Sequence, residues 1–176
     1  MNYFEMFGLP LQLSVDKTLL TQRFQKLTDL EDSGHSRTGI PVTSTSDTHH
    51  AAVISTAYKT LINQDETIRY VLHLKGLMHE EEKYEPDPEF ISTLNDISQA
   101  LAEVMEGEED KIEAIETSIK ELLKKTYADV EHVIENYKEG VDTEKELLQV
   151  KEYYYRKKYL QRVLDKVAQL RNIAAL

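Results

Sequence analysis

The chain has 176 residues and no cysteine, which excludes disulfides, thiolate metal centres and cysteine nucleophiles. Its net charge of −11 is uneven: residues 1–80 carry 7 Lys and Arg against 9 Asp and Glu, and residues 81–176 carry 14 against 23. An acidic second half repels nucleic-acid phosphates and anionic membranes, which points to a protein partner instead.

No apolar run reaches the roughly 18–20 residues of a membrane span, and the N-terminus lacks the basic start and apolar stretch of a secretion signal. A cytoplasmic location is therefore expected.

In chain order, Gly8 and Pro10 end a short first helix. Asp16 is placed to cap the next, because its carboxylate can accept the free N–H groups of a first turn. Leu19, Leu20, Phe24 and Leu27 then recur at helical spacing to about residue 30. Residues 32–50, DSGHSRTGIPVTSTSDTHH, are rich in Ser, Thr and Gly and are expected to form a loop. A third helix is expected through Ala51, Val53, Ile54, Ala57, Tyr58 and Leu61, and a fourth across Ile68, Val71, Leu72 and Leu74. Gly76 is placed to end the fourth with a left-handed residue.

Residues 77–86 form an acidic hinge, and Pro88 suits a first helical position, where its missing N–H costs nothing. Phe90, Leu94, Ile97, Leu101 and Val104 step by 4, 3, 4 and 3 residues, and Ile112, Ile115, Ile119 and Leu122 continue that spacing. The stripe shifts phase near Thr126 and resumes at Val130, Val133, Ile134 and Tyr137. A last pattern includes Leu147, Val150, Tyr154, Leu160, Val163, Leu164, Val167 and Leu170. Gly107 and Gly140 fall at the two turns, and such short connections make neighbouring helices antiparallel. With no strand alternation anywhere, the chain reads as all-α. A four-helix N-terminal domain over 1–76 precedes an antiparallel three-helix bundle over 87–176.

Catalytic chemistry finds little support. No HExxH, P-loop, GxGxxG or GxSxG string occurs, and carboxylates gather in runs, Glu80–Glu82 and Glu106–Asp110, of the kind found on solvated faces. His35, Asp47, His49 and His50 share one polar stretch, but adjacent histidines point in different directions, so no metal or cofactor is expected. The run Tyr153-Tyr154-Tyr155-Arg156-Lys157-Lys158-Tyr159 covers the whole circumference of a helix. Tyr154 is the expected core residue, and at least one tyrosine should reach the surface or an interface.

Two strings at a fixed separation, MNYFEMFGLP at 1–10 and AYKTLINQDETIRYVLHLKG at 57–76, resemble the ends of the J-domain of HscB-type co-chaperones of iron–sulfur cluster assembly. Length, domain order and the EEEKY hinge are also similar to that family. The resemblance implies a J-domain-like helical hairpin with short flanking helices, followed by a three-helix bundle. It implies a non-enzymatic protein whose J-domain stimulates a DnaK/HscA-type ATPase chaperone while the bundle binds an IscU-type scaffold. Holding both partners raises their effective concentration.

RFQKL at 23–27 matches the family's second helix, so Arg23 and Lys26 fall on its chaperone contact. The family's activating His-Pro-Asp is absent; Asp32-Ser33-Gly34 stand there, within a degenerate stretch over 28–50, so ATPase stimulation is expected to be weak. That stretch fits either a diverged paralogue or a shifted reading frame between well-matched flanks. The family's scaffold-binding positions map onto Ile91, Ser92, Asn95, Asp96, Gln99 and Glu103, with an aromatic contact at Tyr155 or Tyr154. The competing reading, from the tyrosines and apolar stripes, is a helical protein that forms a homodimer through its bundle without J-protein activity.

Overall fold

The structure is a computed structural model that describes the backbone of residues 1–36 and 45–174, and the side chains of these residues except 31–48 and 174. Among the described residues every regular element is a helix, and the fold is all-α. In order they are α1 (Tyr3–Met6), α2 (Lys17–Ser36), α3 (Thr45–Ile62), α4 (Gln64–Leu74), α5 (Pro88–Ala102), α6 (Glu109–Ala128), α7 (Glu131–Asn136) and α8 (Glu144–Ala174).

The helix starts follow their caps. Asn2 and Glu5 form a reciprocal capping box at α1, each side chain accepting the other's backbone N–H. The Asp16 carboxylate accepts the Leu19 N–H at 3.0 Å ahead of α2. Asn63 separates α3 from α4 and accepts the N–H groups of Asp65 and Glu66. Pro88 occupies the first turn of α5, capped by Asp87, which accepts the Phe90 N–H at 3.0 Å. Gly8 follows α1 at φ +61, a left-handed backbone conformation that glycine adopts without strain. Gly76, at φ +68, ends α4 in the left-handed region.

The chain divides into two compact units: Met1–Gly76 with Ile134–Asp142, and Leu77–Val133 with Thr143–Leu176. In the first, α3 packs on α1, α2 and α4 around buried Phe4, Phe7, Leu13, Leu20, Ile54, Leu61, Ile68 and Leu72. Tyr70 stacks on Tyr3 with centroids 4.3 Å apart, and its hydroxyl accepts the Tyr3 N–H. Thr67 is fully buried and its hydroxyl donates to the Asn63 carbonyl at 2.9 Å, so its polarity is satisfied within the helix junction. In the second unit α5, α6 and α8 pack pairwise, with Phe90, Ile112, Ile119, Leu160, Val163 and Val167 at the centre.

Three sequence expectations are corrected. Residues 32–36 and 45–50 are helical rather than loop: α2 runs to Ser36 and α3 begins at Thr45. Ser and Thr lower helix propensity by only a fraction of a kcal/mol each, so continuation of a formed helix overrides composition. The rest of the expected loop, 37–44, lies outside the described residues, as do the side chains of Asp32, Ser33, His35 and Asp47.

The phase shift near Thr126 proves to be an interruption. α6 ends at Ala128, Val130 donates its N–H to the Tyr127 carbonyl in a tight turn, and α7 restarts at Glu131. That break lets Val130, Val133 and Ile134 all be buried, which one continuous helix in the original phase would not allow. Leu19, expected in the core stripe, is 38% exposed, while its neighbour Leu20 is fully buried.

Candidate partner-binding surfaces

The positions to which the resemblance maps a scaffold contact run along α5. Phe90, Leu94, Ile97 and Leu101 turn toward the bundle core, which leaves Ser92, Asn95, Asp96, Gln99 and Glu103 exposed along the other side at spacings of three and four. Ile91 is 42% exposed and stands at the margin of that stripe. The Gln99 amide donates to Glu103 Oε1 at 3.0 Å, fixing two neighbours on the surface.

Tyr155 is placed differently. Its ring partners are Tyr84 and Tyr154, both outside the α5 stripe: it lies flat on Tyr84 and edge-on to Tyr154. Tyr153 and Tyr154 are buried, and Tyr155 is half-buried. The cations beside them lie over the protein's own rings: Lys157 over Tyr153, Lys158 over Tyr154, Arg162 over Tyr159 and Arg156 over Phe90, at 4.7–6.0 Å from the centroids. This stretch is thus largely spent on internal packing.

Sequence reasoning missed how the segment before α5 is held. Lys151 pairs with Glu82, and Arg156 pairs with both Asp87 and Glu152, the latter at 2.7 Å. With the Tyr84–Tyr155 stack, these contacts fasten residues 82–87 along α8. The Lys151 ammonium holds the Glu82 carboxyl below the usual carboxylate range. The Phe90 N–H, followed by the Arg156 guanidinium, lowers Asp87 in the same way. Burial pushes the phenols of Tyr84 and Tyr155 up. The one readable signal was the coincidence of acids over 80–87 with bases over 151–158.

In the first unit, Glu5, Met6, Phe7, Gly8, Gln22, Arg23, Lys26, Leu27 and Leu30 line a groove between α1 and α2. Arg23 is exposed but turned toward α1, where Nη1 donates to the Phe7 carbonyl at 3.3 Å; Lys26 is exposed on the next turn. Asp32, Ser33 and Gly34 belong to the last turns of α2, so the backbone there is helical. His49 and His50 are exposed on α3. Among the described residues no group of His, Asp or Glu has the arrangement of a metal site, and no helix is long and apolar enough to cross a membrane.

Residues 86–168 match the family described as the HSCB C-terminal oligomerisation domain, a range that begins at the fastened segment and covers α5 to most of α8. The match thus takes in a little under half of the chain. A co-chaperone protein HscB homolog of Vibrio vulnificus is 29% identical over 134 residues, covering 74% of this chain and 78% of the relative. Another from Vibrio cholerae is 32% identical over 105 residues, covering 59% and 61%. Among solved structures, chaperone HscB from Vibrio cholerae aligns with a TM-score of 0.68 at 23% identity over 99% of both chains. The human co-chaperone protein HscB aligns with a TM-score of 0.71 at 23% identity, over 97% of this chain and 82% of the other. The HscB-type fold therefore extends through the first unit as well as the matched bundle.

Proposed function

We propose that this chain is an HscB-type cytoplasmic adaptor of iron–sulfur cluster assembly that binds an IscU-type scaffold and brings it to a DnaK/HscA-type ATPase. The observation that carries this reading is the exposed polar stripe Ser92, Asn95, Asp96, Gln99 and Glu103, standing on the helix to which the resemblance maps the scaffold face. The stripe offers hydrogen-bonding and acidic groups with little apolar area, so an interface built on it is polar and modest in affinity. Ile91 supplies the apolar contact at its edge. Tyr155 joins that interface only if its stack with Tyr84 opens, so it is a secondary contact.

The N-terminal unit meets the ATPase chaperone through the Lys26 side of α2. Stimulation is weak, because a helical Asp32-Ser33-Gly34 segment supplies neither an imidazole nor a proline-fixed turn. Asp29 adds negative charge on the same helix, which disfavours docking to an acidic face.

Titration calorimetry of the full chain with an IscU-type scaffold tests the reading. Saturable binding that falls at least tenfold in the Asp96→Lys, Gln99→Lys double variant supports it. No heat at high micromolar concentration, with both proteins folded, removes it.

The three consecutive tyrosines offer a homodimer little exposed area, since two are buried and the third is stacked within its own chain; the alternative of self-association through the bundle rests on its apolar stripes.

A further inference from the structure

One end of the bundle carries an apolar surface that the α5 stripe does not use. Two adjoining grooves, of about 380 and 360 Å³, share Leu101, Leu170 and Ile173 as common walls. Met105 stands beside them at 73% exposed, Ile173 at 68% and Leu170 at 38%. Contiguous exposed apolar side chains of this size are uncommon on a soluble surface away from an interaction site. Met105 is not merely frayed: the Glu108 carboxylate accepts its backbone N–H at 2.9 Å and pairs with Lys111 at 2.7 Å, so the turn that presents it is fixed.

The rim of the first groove is acidic. Glu106 and Glu109 line it, and among the described residues neither makes an ion pair, whereas Glu108 is already engaged. The second groove has the opposite sign at its margin, where Lys166 stands beside Ser98 and Gln169. Apolar floor, acidic end and basic flank together define a polarised slot.

We infer that this end of the bundle docks an amphipathic helical segment of another protein, with apolar side chains seated between Met105, Leu170 and Ile173 and basic residues at its Glu106–Glu109 end. A helix presenting apolar residues at spacings of three and four is the shape such a groove admits, and unpaired carboxylates select cationic flanks. Ser98 and Ala102, which line the slot, are helix-surface neighbours of Asn95 and Gln99, so the slot borders the α5 stripe, whereas Met105, Glu106, Glu109 and Ile173 lie off it. The inference therefore stands or falls independently of the scaffold reading.

The test uses the full chain and a fluorescein-labelled 14-residue peptide with leucines at helical spacing and lysines toward one end. A matched peptide carries glutamates in place of the lysines. Anisotropy at physiological salt should show micromolar binding of the lysine peptide and at least tenfold weaker binding of the glutamate peptide. Met105→Ser with Ile173→Ser, and separately Glu106→Gln with Glu109→Gln, should each weaken the lysine peptide at least fivefold, with unchanged circular dichroism and melting temperature. Equal binding by the serine variant would mean that net acidity alone attracts the peptide, overturning the slot. Sedimentation showing a dimer of the chain that Met105→Ser with Ile173→Ser disperses would mean that a second copy covers this end, and would also overturn it.

Discussion

Tyr84 and Tyr155 stack face to face, with ring centroids 4.4 Å apart and planes within 3° of parallel. One ring comes from the segment before α5, the other from the middle of α8. Offset stacking of this kind adds about 0.5–1.5 kcal/mol beyond the area it buries. A double-mutant cycle of Tyr84→Leu and Tyr155→Leu, followed by urea unfolding, should return a coupling energy of about that size. A coupling near zero would mean that the rings are neighbours without interacting.

Asp87 does two jobs, capping α5 through the Phe90 N–H and receiving Arg156. The two can be separated chemically. Asp87→Asn keeps an acceptor for the cap but loses the charge, whereas Asp87→Ala loses both. The alanine variant should lower Tm by a few degrees, and the asparagine variant by clearly less. Equal losses would assign the whole effect to the ion pair.

Acid should loosen the same segment. Glu82 and Asp87 both titrate below the usual carboxylate range in the folded chain, Glu82 chiefly through Lys151 and Asp87 chiefly through the Phe90 N–H and then Arg156. A depressed folded value gives a contribution that is complete above the ordinary carboxylate pKa and is lost as pH falls through the folded one. Amide protection factors across residues 82–90, corrected for the intrinsic pH dependence of exchange, should therefore fall between neutral and strongly acidic pH, ahead of those in the α6–α8 core. Lys151→Met should remove the Glu82 part of that dependence.

The length of α2 bears on the proposed contact with an ATPase chaperone. Because Asp32-Ser33-Gly34 sit within the helix, the replacement Glu31→Tyr, Asp32→His, Ser33→Pro, Gly34→Asp changes backbone as well as chemistry. Proline inside a helix costs roughly 3 kcal/mol and clashes with the carbonyl four residues earlier, so α2 should end about a turn sooner. Single-turnover hydrolysis by a DnaK/HscA-type chaperone with its scaffold should be barely stimulated by the natural chain and clearly stimulated by the variant. Strong stimulation by the natural chain would place the signal on another surface.

Much of the helical framework was readable from apolar spacing and from residues with one conformational use. Phe90, Leu94, Ile97 and Leu101 all face the core as their steps require, and Asp16, Pro88 and Gly76 each mark the boundary expected of them. The exposed side of α5 was readable as its complement. The ends of α2 and α3 were not, because weak propensities at Ser and Thr yield to helix continuation. Nor was the fastening of residues 82–87 to α8, since pairs such as Glu82 with Lys151 and Tyr84 with Tyr155 are about seventy positions apart and leave no periodic trace. The slot at the bundle end escaped for the same reason: Met105 and Ile173 are close only after folding.

The first unit is not contiguous in sequence. Ile134–Asp142 belongs with Met1–Gly76, Ile134 and Tyr137 are buried, and Lys75 pairs with Glu139. On the ribosome, residues 1–76 therefore emerge well before the segment that joins them. Because α1–α4 pack on one another, a nascent chain arrested near residue 110 should already protect α1–α3 from protease, with the end of α4 near Lys75 gaining protection once residue 142 is out. Birth order thus leaves one late contact of the first half to be made by the second.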